Sequence, residues 1–354
     1  MNSPAQGPGR SLVARLAGLV AGLGALLVVT MFLAANIGAV AIPLAVIVES
    51  ARNHAGTLLG RPLSTEPMLA YIFWHERLPR VVLGALVGTA LTVAGGSLQG
   101  LLMNPLADPY LVGVSAGAAL GASAAMVLHF GDFAGGAGKC LVAFGTGVVT
   151  MALVLWLARA QRRISRDSFI LAGVVVGSFM WALVTLLMTF AGRDLQTVVF
   201  WLMGNLSGQM TEVTWLVVGI SAVLVGGGCA MLYSYGRDLN LLSLGEEQAR
   251  QLGVETEGLK TGVVLFSALV TAAAVSVSGI IGFVGLVIPH IARKLVGPDH
   301  RVLLPTAGLL GASFLVGADT LARVINEIFP VGVLTALLGA PFFFYLLKTR
   351  PRAT

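Results

Sequence analysis

The chain has 354 residues and a formal net charge of +6. Hydrophobic residues make up 56% of it, charged residues only 11%, and its mean hydropathy is +0.90. Ordinary soluble domains run at roughly 45–50% and 25%, so a water-soluble globular fold is excluded, and the positive charge belongs with membrane topology and lipid headgroups rather than nucleic acid.

A membrane-crossing helix needs about 20 mostly apolar residues. Runs of that kind lie at 12–41, 78–103, 111–130, 139–159, 168–191, 212–235, 261–282, 283–296, 303–325 and 331–347, with 283–296 short. They are continuous rather than alternating, which argues against a β-barrel. The expectation is an all-α polytopic membrane protein with ten transmembrane helices, forming one domain over residues 1–354. The first run starts at Leu16 and exceeds the roughly 7–15 residues of a signal h-region, so it reads as a span. Lys and Arg favour cytoplasmic loops. With the N-terminus inside, only Arg52, Arg61, Arg77, Arg80, Lys139, Arg193 and Arg323 of the 22 basic residues fall outside. Both termini, 1–11 and 348–354, are then cytoplasmic tails.

Residues 42–76 read as an outer surface loop containing His54, Glu66, His75 and Glu76. Arg77-Leu78-Pro79-Arg80 follows, then a glycine-rich span, then Asn104-Pro105-Leu106-Ala107-Asp108-Pro109. Two arginines three apart share a helix face or turn. The two prolines force the chain to turn at the other end. Gly84/Gly88, Gly113/Gly117, Gly117/Gly121 and Gly173/Gly177 sit four apart, spacing that lets helix backbones approach closely in lipid. Gly138-Lys139 is the one Gly-Lys pair, and Phe133 stands where a P-loop needs glycine, so no ATP site is read here. Cys140 and Cys229 fall on different spans, and no disulfide or metal site is expected.

Met180, Trp181, Thr185, Met188, Trp201, Met203 and Met210 cluster in the fifth span and the semi-apolar segment 193–210, as core, lipid contacts or the wall of a pathway. Within the inner connection 236–260, Ser243 and Glu246 have capping-box spacing. They predict a short amphipathic helix over 239–252, with Leu244, Ala249 and Leu252 apolar, Glu246, Glu247 and Arg250 polar, and Gly253 ending it. A solvated loop helix and a docking element for a cytoplasmic partner both fit. Farther on, Arg323 lies four residues after Asp319.

Taken in order, these motifs resemble the permease subunit of the bacterial type II ABC importers that take up iron-siderophores, haem and vitamin B12. The matching residues are the Arg77–Arg80 and Asn104–Pro109 stretches, Gln99 and Gly113–Ala118. They continue with Leu239-Asn240, Leu244-Gly245, Leu252-Gly253, Gly282–Arg293, Asp299-His300-Arg301, Asp319, Arg323, Pro330–Thr335 and Gly339–Phe343. Many relatives carry Arg where this chain has Met103.

The resemblance implies a homodimer in the bacterial inner membrane, ten spans per subunit, with the pathway on the dimer axis. Two cytoplasmic ATPase subunits would bind ATP and Mg below, and a periplasmic binding protein would dock above. The chain itself would then be no enzyme and hold no cofactor. The resemblance assigns Arg77, Arg80 and Arg323 to the binding protein's acidic residues, a task suited to the guanidinium fork. It assigns Asn104 and Leu106 to the cytoplasmic gate, with Arg166 and Asp167 as a second constriction. Leu239, Asn240, Leu244, Gly245, Glu246, Glu247, Leu252 and Gly253 fall in the ATPase coupling region. The Met and Trp content of the wall leans the cargo towards an iron chelate, haem ahead of ferric siderophore, with vitamin B12 the alternative. An ion-coupled secondary transporter is the other class, but it would call for charged residues at mid-depth of broken helices.

Overall fold

In lipid every backbone N–H and C=O must be satisfied within the protein, which leaves helices or closed barrels as spanning structures. The computed structural model describes residues 8–38, 42–58, 68–130, 133, 137–160, 163–164, 166–206, 214–326 and 328–349. These are almost wholly helical: α1 (Pro8–Asn36), α2 (Leu44–Leu58), α3 (Met68–Tyr71), α4 (Leu78–Leu101), α5 (Val114–Val127), α6 (Gly138–Ala158), α7 (Arg166–Phe190) and α8 (Leu195–Leu202). They continue as α9 (Thr214–Ser234), α10 (Gly236–Leu242), α11 (Glu246–Gln251), α12 (Thr256–Ser278), α13 (Val284–Val296), α14 (His300–Ile325) and α15 (Val331–Thr349). A π turn, Ile72–Arg77, joins α3 to α4. A pair of two-residue antiparallel strands, β1 (Arg159–Ala160) and β2 (Arg163–Ile164), turns the chain between α6 and α7.

Among the described residues seven helices are long and apolar enough to cross a membrane. Two shorter helices, α5 and α15, are also apolar, and α13 falls where the short run 283–296 was expected. Burial ranks them. The most apolar window of the Met68–Leu101 helix is 78% buried, that of α12 72% and that of α14 67%, against 6% for α1. The fold is therefore α4 sheathed by α9, α12, α13 and α14, with α1 laid on the outside against α14.

Small residues set these distances, as the four-residue glycine spacing predicts. A side chain at Gly88 would strike the Gly311 carbonyl of α14, and one at Gly95 the Gly285 carbonyl of α13. Gly117 and Gly121 of α5 likewise face Thr150 and Thr146 of α6. Neither Cys140 nor Cys229 is in a disulfide.

Two expectations need correction. Residues 42–76 are not a plain loop: α2 and the π turn occupy much of the segment. Phe73 packs with Ala35 and Ile42, and Trp74 Nε1 donates to Ser50 Oγ at 3.0 Å, so an aromatic pair folds α2 back on the start of α4. The seventh span also ends earlier than 282. α12 stops at Ser278 because Gly279 (φ 67°) breaks it, and α13 restarts only after Phe283, itself at φ 67°. A non-glycine residue in that region carries roughly 1–3 kcal/mol of strain, and the Phe283 side chain lies against Gly339 of α15.

Candidate functional site

Where α4 begins and α14 ends, the three arginines are largely buried within the chain. Arg77, Arg80 and Arg323 are each 7% exposed. Arg80 grips Asp319 with Nε at 3.1 and 3.0 Å from the two carboxylate oxygens and Nη2 at 2.8 Å from Oδ1. Arg323 Nε stands 3.2 Å from Asp319 Oδ2, an ion contact whose angle does not make a hydrogen bond. Its Nη2 donates to Ala34 O at 3.0 Å, and its Nη1 to Ile37 O at 3.4 Å. Arg77 Nη1 donates to Asn36 O at 3.2 Å and Ala35 O at 3.4 Å. Those carbonyls belong to the end of α1, where a helix leaves its last C=O groups without intrahelical partners. Cations there also complement the helix dipole. The arginines thus staple α1 to α4 and α14. The three arginines form an internal charge cluster that sequence could not show, because Arg80 and Asp319 meet across 239 residues and charge counting sees only which side of the membrane each is on.

At the other end of α4 the helix stops at Leu101, and Met103 takes a left-handed conformation (φ 46°). Asn104 is exposed, and its Oδ1 accepts from Leu106 N at 3.0 Å, closing an Asx turn. Leu106 is half-buried. The chain then climbs back into the bundle. A side chain at Gly285 would meet Leu91 O at 2.7 Å and Pro109 Cγ at 2.8 Å, so Pro109 lies ten residues back up α4. Asp108 caps the short 3-10 turn Pro109–Val112 by accepting from Tyr110 N at 2.8 Å. The Tyr110 hydroxyl donates to Ile281 O at 2.9 Å and accepts from Ile281 N at 3.1 Å. One side chain therefore satisfies both backbone groups of a residue in the α12–α13 break. Sequence reading passed over Tyr110, although Asp-Pro before it is an N-cap followed by proline at the first helical position. From the other side Asn205 N donates to Ser278 O at 2.8 Å, and Gly332 N to Gly204 O at 3.2 Å. The side chains of Arg166 and Asp167 lie outside the described residues.

The connection between α9 and α12 is two helices rather than one. α10 and α11 are separated by Ser243–Gly245, and Ser243 Oγ bonds back to Asn240 O at 2.6 Å instead of capping α11. Gly245 at φ 118° makes the corner, a conformation that favours glycine. Leu239 is fully buried, and so is Ala249. Asn240 is half-buried and bonded to Asp299 and His300. Glu246 is engaged too: its Oε1 accepts from Lys260 Nζ and Arg250 Nη2, both at 2.8 Å, fixing α11 to the start of α12. The Lys260 bond holds the Glu246 carboxyl below the usual carboxylate range. The outward face is Leu244 (59% exposed), Glu247, Leu252 (58%) and Gly253, with Gly245 half-buried between. Ala249, expected beside Leu244 and Leu252, points the other way.

Of the expected pathway side chains, Met180 packs on the main core, and Met188 and Trp201 on a cluster around Val198 and Val275. Trp181, Thr185 and Met203 are exposed. Met210 lies outside the described residues. Among the described residues no three His, Cys, Asp or Glu side chains gather as a metal site.

The profile of the FecCD transport family matches residues 26–349, from within α1 to the end of α15. The chain belongs to the FecCD transport family. It is 44% identical to a cobalamin import system permease of Halobacterium salinarum over 274 residues, 77% of this chain and 72% of that protein. To a vitamin B12 import system permease of Salmonella paratyphi A it is 41% identical over 79% of this chain and 84% of that one. An uncharacterized ABC transporter permease of Bacillus subtilis is 44% identical, covering 82% of each chain. Among solved structures, an inward-facing putative metal-chelate type ABC transporter superposes with a TM-score of 0.78 at 32% identity, over 95% of this chain and 100% of that one. This FecCD-family chain is a multi-pass permease subunit of a type II ABC importer. ATP hydrolysis and substrate capture in such a system belong to separate subunits.

Proposed function

We propose that this permease imports a cobalamin-type corrinoid across the cytoplasmic membrane. The observation that carries the cargo is the kinship with permeases named for cobalamin and vitamin B12 import, at 40–44% identity over more than three quarters of this chain. Met180, Met188 and Trp201 are packing residues, so the Met and Trp content carries less weight for the cargo than this kinship.

In this proposal the chain works as a homodimer with both termini cytoplasmic, two ATPase subunits that bind ATP and Mg, and a substrate-binding protein outside. The exposed Leu244, Gly245, Glu247, Leu252 and Gly253 form the ATPase-facing surface. Leu239, Asn240 and Glu246 support it from behind. The Asn104–Leu106 turn narrows the cytoplasmic mouth, with Arg166 and Asp167 beside it, and Trp181, Thr185 and Met203 face the pathway.

Proteoliposomes holding the permease, its ATPase and its binding protein test the cargo. ATP-dependent uptake of cyanocobalamin, with none of haem, is the expected result. Uptake of haem or a ferric siderophore without cobalamin would overturn it.

A further inference from the structure

α10 turns Asn240 towards the start of α14. Its Nδ2 donates to Asp299 Oδ1 at 2.6 Å, and its Oδ1 accepts from the His300 backbone N at 2.9 Å. The same Oδ1 lies 2.8 Å from His300 Nδ1. With Nδ2 committed to a carboxylate, Oδ1 can only accept, so the ring proton sits on Nδ1. Nε2 is then a bare acceptor, buried with no hydrogen-bond partner among the described residues. It rests on Gly100, in the last turn of α4, where any side chain would collide with the ring. The imidazole, only 5% exposed, is thus bonded to α10 on one edge and pressed on α4 with the other.

That last turn of α4 is also where the mouth is anchored. Met103 N donates to Gly100 O at 3.3 Å and Asn104 N to Gln99 O at 3.2 Å. Gln99 is itself fixed from α13, through Leu286 O at 3.1 Å and Arg293 Nη1 at 3.2 Å. A displacement of Gly100 therefore has little slack before it reaches Asn104.

We propose that Asn240, His300 and Gly100 form a rigid relay carrying movement of α10–α11 into the Asn104–Leu106 turn, with His300 as the positioning residue. Close-packed interiors transmit strain because they hold few voids. A ring clamped by a hydrogen bond on one side and seated on a glycine backbone on the other passes a shift on. The relay rests on the importer reading above.

His300→Ala and His300→Phe, compared with the native chain in the reconstituted complex, test it. Two quantities are read: cobalamin uptake per ATP hydrolysed, and nucleotide-dependent maleimide labelling of Leu106→Cys in a Cys140→Ala, Cys229→Ala background. His300→Ala removes the ring, whereas His300→Phe keeps it against Gly100 and loses only the bond to Asn240. Both variants should hold the ATPase subunits and retain basal hydrolysis. Uptake per ATP should fall about tenfold, inside the roughly 5–150-fold range typical of coupling between sites, and nucleotide should no longer change labelling at 106. Unchanged coupling and labelling response in both variants would overturn the relay. Failure of both to bind the ATPase would make His300 a structural residue and also overturn it. If the native complex itself shows no uptake and no nucleotide response, the importer reading fails, and the relay with it.

Discussion

Asp319→Asn isolates the charge cluster of Arg77, Arg80 and Arg323. Asp319 is 2% exposed and accepts three contacts from Arg80 besides its ion contact with Arg323. The substitution keeps the side chain's shape and removes its charge, leaving two buried guanidinium groups without their carboxylate. Breaking a buried ion pair by removing one partner costs about 3–5 kcal/mol, against about 0.2–1 kcal/mol for an exposed pair. At roughly 2–4 °C per kcal/mol for a large domain, Tm should fall by the order of 10 °C, read as thermal unfolding of the detergent-solubilised permease. α1 should loosen first, since Arg323 also holds its last carbonyls. The competing expectation is an exposed arginine patch that receives a binding protein. It predicts an unchanged Tm and altered binding-protein association only. A variant with native Tm and weakened association would refute the buried-cluster reasoning.

Three further outcomes follow from the packing and the inner surface. Tyr110→Phe deprives both Ile281 backbone groups of their partner, and an unsatisfied buried group costs about 1–3 kcal/mol. Hydrogen exchange should quicken across 279–283, and native protection there would show that the hydroxyl is dispensable. Gly95→Leu forces a side chain into the Gly285 carbonyl, and overpacking of about 1–3 kcal/mol or more should lower expression and Tm, whereas Gly219→Leu, with nothing near it, should be neutral. Equal behaviour of the two would sink the close-packing argument. Leu244→Glu, on the outward face of the α10–α11 corner, should leave Tm unaltered and abolish ATP-driven uptake. Persisting uptake would place the ATPase contact elsewhere.

Much of this protein is written locally. Composition and run length announce a many-span helical membrane protein, because a single segment either satisfies lipid or does not. Glycines four apart announce close helix contacts, and Gly88, Gly117, Gly121 and Gly173 make them. The double proline at 105 and 109 announces a turn. The ordered motifs from Arg77 to Phe343 point to the family.

The tertiary structure decided what those motifs do. Arg77, Arg80 and Arg323 look alike in sequence whether they face water or a buried carboxylate. Only the approach of α1, α4 and α14 makes them a staple. Ser243 and Glu246 have capping-box spacing, yet Lys260 and Arg250 claim the Glu246 carboxylate and Ser243 bonds backwards, so the helix splits at Gly245. His300 sits in the Asp299-His300-Arg301 motif, but nothing local says what its ring touches. Its proton position and its seat on Gly100 come from Asn240, sixty residues upstream, and from α4, farther still. Hydropathy and turn chemistry act within a few residues and so can be read along the chain. Burial and charge pairing arise where distant segments meet, and only the folded bundle sets them.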